Sequence, residues 1–239
     1  MVAGHPLAHL HMLEVISKFA DRHLVKKAPA PWKLSGEAVI LLYKFKKNWV
    51  EDHGMLPENL LGKFKGGLGF VMLVSYTNSP VGSFQELIFM PGKFRKAKMQ
   101  VITKLITDSE SNAINGQNNW GLPKEILPLL WQKARRWDQV SVLHQDKQVF
   151  SIELEHGGIP IPVSTVFFPI QLCQTWNKLK FFSKPICTGW GKFAKIKNLE
   201  IDPQYFPDIR NLKPLLVLKV NPFNLEVPEA IFKDEVKSI

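Results

Sequence analysis

The stretch with the strongest chemical potential runs from Gly116 to Glu125 and reads G-Q-N-N-W-G-L-P-K-E. Here Trp120, Gly121, Leu122 and Pro123 place apolar bulk and a φ-restricted proline directly before the ammonium group of Lys124. A lysine in such a setting is a candidate reactive amine, because an apolar environment penalises the charged form and leaves a neutral nucleophile. The same residues also fit a plain strand start, where a lysine after proline is common, and residue types alone leave both readings open. A free lysine has a pKa of about 10.4, so neutrality near pH 7 requires roughly 4–5 kcal/mol of destabilised ammonium. Burial alone can shift a lysine by about 3–5 units.

Other candidate chemistries are weaker. Gly66, Gly67 and Gly69 lack the spacing of a phosphate-binding loop and read as a tight turn into a strand. His5, His9 and His11 could share a metal, but two of them sit on the expected helix without a matching third group elsewhere, so they read as surface histidines and no metal is expected. Cys173 and Cys187 form no disulfide framework, and neither has a charged neighbour that would activate it. There is no Gly-x-Ser-x-Gly elbow.

The elements that must position Lys124 are mostly strands. Runs of strand length and composition occupy Ala38–Phe45, Gly69–Tyr76, Phe84–Met90, Gln100–Ile106, Gln139–Leu143, Val149–Glu155 and Leu215–Val220. Turn formers separate them at Thr77-Asn78-Ser79-Pro80 and Pro91-Gly92. Asp108 to Asn112 reads as a polar loop, and Lys124 to Trp137 as a short helix that Pro128 interrupts. Before Trp32, Leu10, Leu13, Ile16, Ala20 and Leu24 fall near one face of a helix over Leu7–Leu24, and Lys26–Pro31 breaks it. Two regions follow: an N-terminal amphipathic helix and extended linker over 1–28, and one β-rich domain over 29–239.

Composition agrees with a globular chain of 239 residues, 45% hydrophobic and 22% charged. The net charge of +10 attracts anions in general. The basic groups are scattered, as in Lys44–Lys47 and Lys133–Arg136, with no nucleic-acid-binding signature, so no nucleic-acid partner is expected. The longest apolar run, Leu68–Val74, is too short to span a bilayer, and Glu14 and Lys18 interrupt the apolar N-terminal run of a would-be signal peptide. A reducing, cytoplasmic location without stable membrane insertion is the expectation.

The run Asp108-Ser109 … Gly116 … Trp120-Gly121-Leu122-Pro123-Lys124 resembles the signature segment of the acetoacetate decarboxylase-like family. Other segments agree in order. Pro31-Trp32-Lys33-Leu34 with Gly36-Glu37 resembles the start of the family's first strand, and Val81-Gly82-Ser83-Phe84-Gln85-Glu86-Leu87 its Gly-Pro-Tyr-x-Glu-Leu segment. Gly189–Lys197 and Pro214–Leu218 resemble its closing strands. The resemblance spans roughly Pro29 to Ile231 and implies a mainly β fold, a closed cone-like antiparallel β-barrel with a few peripheral helices and a buried lysine at its centre.

By position that lysine is Lys124, which would attack a carbonyl and form a protonated imine, and Glu86 is the family's cavity carboxylate. The implied activity is that of a Schiff-base lyase acting on a β-keto acid or related oxo compound, with aldol or dehydration chemistry open to the same imine. Such an imine does the work of an organic cofactor, so none is expected, and a homo-oligomer is the family's default. The chain also departs from the pattern. Gln117 and Asn118 replace an Arg-Glu pair, Glu37 falls nearest a family arginine, Val71 falls where a second glutamate would be, and Glu125 replaces a second lysine. Gln117, Asn118, Trp120 and Val71 would then shape a pocket for a larger or more apolar carbonyl compound than acetoacetate. The alternative is a non-catalytic barrel that binds an apolar carbonyl compound.

Overall fold

Apolar, β-branched and aromatic runs bounded by turn formers drive the first half of the chain into antiparallel strands, whose successive residues face opposite sides. The computed structural model describes residues 25–94 and 99–234. The expected helix at Leu7–Leu24 and the three N-terminal histidines lie outside the described residues. Among those described, sixteen strands and two α-helices follow in order. They are β1 (Trp32–Tyr43), α1 (Lys47–His53), β2 (Phe64–Gly66), β3 (Gly69–Asn78), β4 (Phe84–Met90), β5 (Gly92–Phe94), β6 (Met99–Val101), β7 (Lys104–Thr107), α2 (Glu110–Trp120), β8 (Lys124–Ile126), β9 (Leu129–Ala134), β10 (Trp137–His144), β11 (Lys147–Ser164), β12 (Leu172–Trp176), β13 (Leu179–Ser183), β14 (Ile186–Ile201), β15 (Leu216–Val227) and β16 (Ile231–Asp234).

Ten strands form one sheet in the order β8-β7-β4-β3-β1-β15-β14-β11-β10-β9, and six form a second, β16-β13-β12-β6-β5-β2. The fold is mainly β, as expected, but the expected closed antiparallel barrel is corrected. The large sheet is a curled half-barrel whose edge strands β8 and β9 have no ladder between them. The reason lies at Leu127-Pro128, which links the two edges. Leu127 N–H donates to the Thr107 carbonyl on β7 and Leu143 N–H on β10 to the Pro128 carbonyl, so the link pairs separately with the strand next to each edge, and Pro128 has no N–H of its own to offer. Two pairings, β7 with β8 and β6 with β12, are parallel. The region expected as a short helix, Lys124–Trp137, forms β8 and β9, and the expected loop at Asp108–Asn112 opens α2.

Both faces of the large sheet are buried. Inside the curl, Val39, Leu41, Val71, Leu73, Phe89, Val140, Ile152 and Val217 form one core. On the other face Val74, Tyr76, Phe84, Ile88 and Leu218 pack with Trp120 of α2 and with Leu172 and Phe181 of the second sheet. The linker before β1 is extended and tied to α2. Ala28 N–H donates to Asn115 Oδ1, and Asn115 Nδ2 donates to the Lys26 carbonyl.

Charges also bind the curl, both between neighbouring strands and across strands that are not neighbours. Lys219 on β15 lies 2.7 Å from Glu37 on β1 and 2.9 Å from Asp138 on β10, with its ammonium 4.6 Å from the centre of the Trp131 ring. Lys133 on β9 also pairs with Glu37. The contacts of Lys219 are close ion contacts without aligned hydrogen bonds. Burial pushes the Glu37 carboxyl up, but Lys133 and Lys219 more than offset this and hold it below the usual range. Removing one partner of a buried pair strands the other charge, which costs about 3–5 kcal/mol, whereas an exposed pair is worth ~0–1 kcal/mol. Lys219→Met is therefore expected to lower the urea midpoint strongly and Lys133→Met only slightly, and equal shifts would contradict this account of the clamp.

Candidate active site

The site is built by a βαβ unit and the strand beside it. Parallel strands need a crossover, and here β7 passes through α2 into β8, which pairs with β7 in the register Leu105↔Lys124. Ser109 caps α2, accepting from the Asn112 N–H at 3.2 Å, and Gly121 ends it at φ 64°, a left-handed conformation suited to glycine. Three residues later the chain is a strand, and Lys124, its first residue, lies beneath the helix. A Cβ on Gly116 would stand 2.4 Å from Lys124 Cε and 2.8 Å from Nζ, so only glycine leaves room for the lysine there.

Lys124 Nζ lies 2.6 Å from Glu86 Oε1 and donates to Asn112 Oδ1 at 2.6 Å, and the side chains of Lys124 and Glu86 are 4% and 5% exposed. Asn112 Nδ2 donates to Glu86 Oε1 at 2.9 Å and to Thr107 Oγ1 at 3.0 Å. The Tyr76 phenol hydrogen-bonds the same carboxylate, and burial followed by the Glu86 charge raises its pKa well above the usual tyrosine value. The Phe84 ring centre is 5.8 Å from Nζ. Burial pushes the Lys124 pKa below that of an ordinary lysine, and the Glu86 charge and hydrogen bond oppose the shift. The arrangement is a dry amine with a proton acceptor in contact, which is what a carbonyl-attacking lysine requires.

The predicted pair Lys124 and Glu86 is therefore in contact. The resemblance put the lysine at the centre of a barrel, whereas it sits in the layer between the large sheet and α2. Gln117 Nε2 donates to the backbone carbonyl of Lys124 at 3.3 Å and so supports the start of β8. Trp120 is buried in the same layer, its indole donating to the Pro228 carbonyl at 2.7 Å and its ring edge-on to Trp32 at 5.2 Å. Asn118 is exposed, because two residues on from Gly116 a helix has turned about 200° away. Val71 is also displaced. Val74 opposes Glu86 across β3 and β4, so even-numbered positions of both strands share a face and Val71 joins the core inside the curl. Glu37 lies on that same inner face and is no counterpart to a group beside Lys124.

Glu125 points away from Lys124, as the alternation of strand side chains implies, and pairs with Lys104. Cys187 is a free thiol whose pKa burial pushes up to about 11. Among the described residues no group of three or more His, Cys, Asp or Glu could hold a metal ion, and no helix is long and apolar enough to cross a membrane. Sequence reasoning missed Asn112, Thr107, Tyr76 and Gly116 as parts of the site. The helix that carries Asn112 and Gly116 was signalled by its caps, Ser109 and Gly121, with eleven residues between them.

No protein-family model matches the chain, and no curated protein matches it in sequence. Solved structures do match. Acetoacetate decarboxylase from Legionella pneumophila superposes with a TM-score of 0.68 over 92% of this chain and 95% of that one, at 12% identity. The enduracididine biosynthesis enzyme MppR in complex with pyruvate gives 0.59 over 87% and 91%, at 15% identity. An acetoacetate decarboxylase-like enzyme from Sphingomonas wittichii RW1 gives 0.59 over 87% and 94%, at 9% identity. The two-sheet arrangement with its βαβ unit is thus a known architecture. It is the acetoacetate decarboxylase-like fold.

Gly116→Ala tests how the lysine is accommodated. Alanine in place of glycine favours a helix by about 1 kcal/mol, while overpacking costs about 1–3 kcal/mol, and the atoms displaced are the mobile end of Lys124. The variant is expected to fold with a melting temperature within a few degrees of the parent. Its Lys124 amine should be displaced from Glu86, the group that opposes the effect of burial, and so titrate further below an ordinary lysine, as read by NMR of labelled lysine; an unmoved titration would show that the contact does not depend on Gly116.

Proposed function

We propose that this chain is a Schiff-base-forming lyase that acts on a β-keto acid or related oxo compound other than acetoacetate. The observation that carries the proposal is the Lys124 amine, buried and in contact with the buried carboxylate of Glu86. In the proposed reaction Glu86 takes a proton from the Lys124 ammonium, and the neutral amine adds to the substrate carbonyl carbon. Glu86 returns that proton to the carbinolamine hydroxyl, which leaves as water and yields the iminium. In a β-keto acid the carbon–carbon bond to the carboxylate then breaks, carbon dioxide departs, and its electron pair passes into the iminium to give an enamine. Protonation at carbon and hydrolysis release the ketone and restore Lys124. The iminium also supports aldol or dehydration steps.

The fold supports the reading by analogy only. Proteins of this fold hold carbonyl compounds, since MppR has been solved with pyruvate and with the condensation product of pyruvate and imidazole 4-carboxaldehyde. The expectation against acetoacetate follows from charge. Among the described residues the charged group in contact with Lys124 is the anion Glu86, and a small carboxylate entering beside it would be desolvated without a cation of its own. A longer or more apolar oxo compound gains burial and can keep its carboxylate near solvent.

Borohydride reduction in the presence of a panel of oxo compounds, read by intact mass and peptide mapping, tests the reading. A stable adduct on Lys124 is expected, absent in Lys124→Met, with longer apolar oxo compounds trapped more readily than acetoacetate. Adducts that persist at another lysine in Lys124→Met would remove the assignment, and binding without an adduct would leave the chain a carbonyl-binding protein.

Glu86→Gln separates the two roles of the carboxyl group. The Glu86 charge raises the Lys124 pKa, so its removal leaves burial unopposed and the pKa falls further. The amine then stays neutral to lower pH, and the acid limb of imine trapping should move to more acidic values. Turnover should nevertheless fall by about 10²–10⁴-fold, the usual worth of general acid–base help. An acid limb displaced upward, or unchanged turnover, would reduce Glu86 to a structural residue.

A further inference from the structure

The geometry points to Asn112 as the positioning residue that sets which way the Lys124 lone pair faces. This rests on Lys124 being the reactive amine. The two ends of an amide have nearly the same shape, so its orientation is decided by what its partners can accept or donate. Thr107 Oγ1 lies 2.9 Å from the Gln85 carbonyl oxygen, which can only accept, so the hydroxyl hydrogen is committed there. The Ser109 N–H donates to the same hydroxyl at 3.4 Å, leaving one lone pair for Asn112. Thr107 must therefore receive an N–H from Asn112, and so must the ionised Glu86, which also only accepts. Both hydrogens of the Asn112 amide are used, at 3.0 and 2.9 Å, and its oxygen is left to face Lys124 at 2.6 Å.

That oxygen cannot take a proton from the ammonium as Glu86 can; it can only hold an N–H. One of the three staggered positions around Nζ is consequently occupied by an N–H in either protonation state. The lone pair of the neutral amine is confined to the other two. One faces Glu86, where the proton was lost, and the other faces away from both partners, the direction left for a carbonyl carbon to be attacked. Asn112 is fully buried on α2, one helical turn from the Gly116 that makes room for the lysine, so the same helix face both admits the amine and orients it. The chain of restraint runs from the Gln85 carbonyl through Thr107 to Asn112 and then to Lys124.

Electrostatics and positioning predict opposite results for Asn112→Leu. Losing an acceptor that favours the ammonium lowers the Lys124 pKa and supplies more neutral amine. If charge were all that mattered, carbonyl attack at a fixed pH would be faster. If Asn112 positions the amine, attack is slower despite the larger neutral fraction, by up to about 10²-fold, because misplacing a reacting atom by about 1 Å can cost that much. The probe is propanal with cyanoborohydride, which alkylates a neutral amine without needing the complete reaction. Its rate at Lys124 is followed across pH by intact mass and peptide mapping. Asn112→Leu is expected to move the acid limb to lower pH while the plateau falls about 10–10²-fold. Asn112→Asp adds an anion and should move the limb to higher pH. Thr107→Val frees the amide without removing a hydrogen-bond partner of the Lys124 or Glu86 side chain, and should lower the plateau with the limb little changed; it also decides the matter if Asn112→Leu does not fold. A plateau that is unchanged or raised in Asn112→Leu, or unchanged in Thr107→Val when that is the variant that folds, overturns the proposal. Parent protein alkylated at Lys124 yet inert toward every oxo compound would sink the lyase reading and leave this one standing. No alkylation at Lys124 would remove both.

Discussion

An ammonium and a carboxylate 2.6 Å apart, both almost wholly out of water, are the constraint around which the rest of the site is arranged. Removing such groups from solvent costs several kcal/mol per ion, and attraction offsets this only when the remaining donors and acceptors are also satisfied. Each neighbouring element supplies part of that satisfaction. The α2 helix contributes the Asn112 amide, β7 the hydroxyl that fixes its orientation, and β3 the Tyr76 phenol that completes the carboxylate's partners. The short strand β8 is held by its ladder to β7, by the pairing of Glu125 with Lys104 and by the Gln117 side chain on its backbone. A lysine with one carboxylate partner and so much burial is left with its ammonium weakened but not unpaired.

The large sheet carries a second buried charge cluster on its other face, and the contrast explains what each is for. Lys219 contacts two carboxylates, and its partners Glu37 and Asp138 come from β1 and β10, which lie on opposite sides of β15 in the strand order. That cluster ties together parts of the curl that no backbone ladder joins. Lys124 has its single carboxylate partner two strands away in the same sheet, past β7, and an amide oxygen from the covering helix. Similar groups thus link distant strands of the curl on one face and leave a buried amine with a single carboxylate partner on the other.

The strands of the first half were legible because they are apolar, β-branched or aromatic runs of strand length bounded by turn formers: Gly69–Tyr76 falls within β3, and Phe84–Met90 is β4 from end to end. The α2 helix was not, since it buries Asn112, Asn115 and Gly116 and therefore shows no apolar period of 3.6. Lys124 and Glu86 could be picked from a motif. Tyr76, Thr107 and Asn112 could not, because what brings them together is strand register and helix phase at separations of 12 to 48 residues along the chain from Lys124. Register also undid Val71. Counting residues back from Glu86 ignores the turn between the strands, and an odd separation in this hairpin lands on the wrong face.

A nearly all-antiparallel protein has one evident reason to build a parallel pair here. Consecutive antiparallel strands are joined by tight turns and leave nothing above the strand just made. A crossover carries the chain over the sheet before it returns, so the connecting helix lies across the very strand it leads into. Lys124, first in β8, is thereby covered by α2 within four residues of the helix end. The covering face of that helix can be polar because what it covers is polar. Asn112 meets the charged pair, Asn115 meets the backbone of the linker at Lys26 and Ala28, and Gly116 gives the lysine its space. The helix therefore depends on its caps and on these specific hydrogen bonds more than on apolar burial. The same features that hid it in the sequence make it fit to enclose an amine.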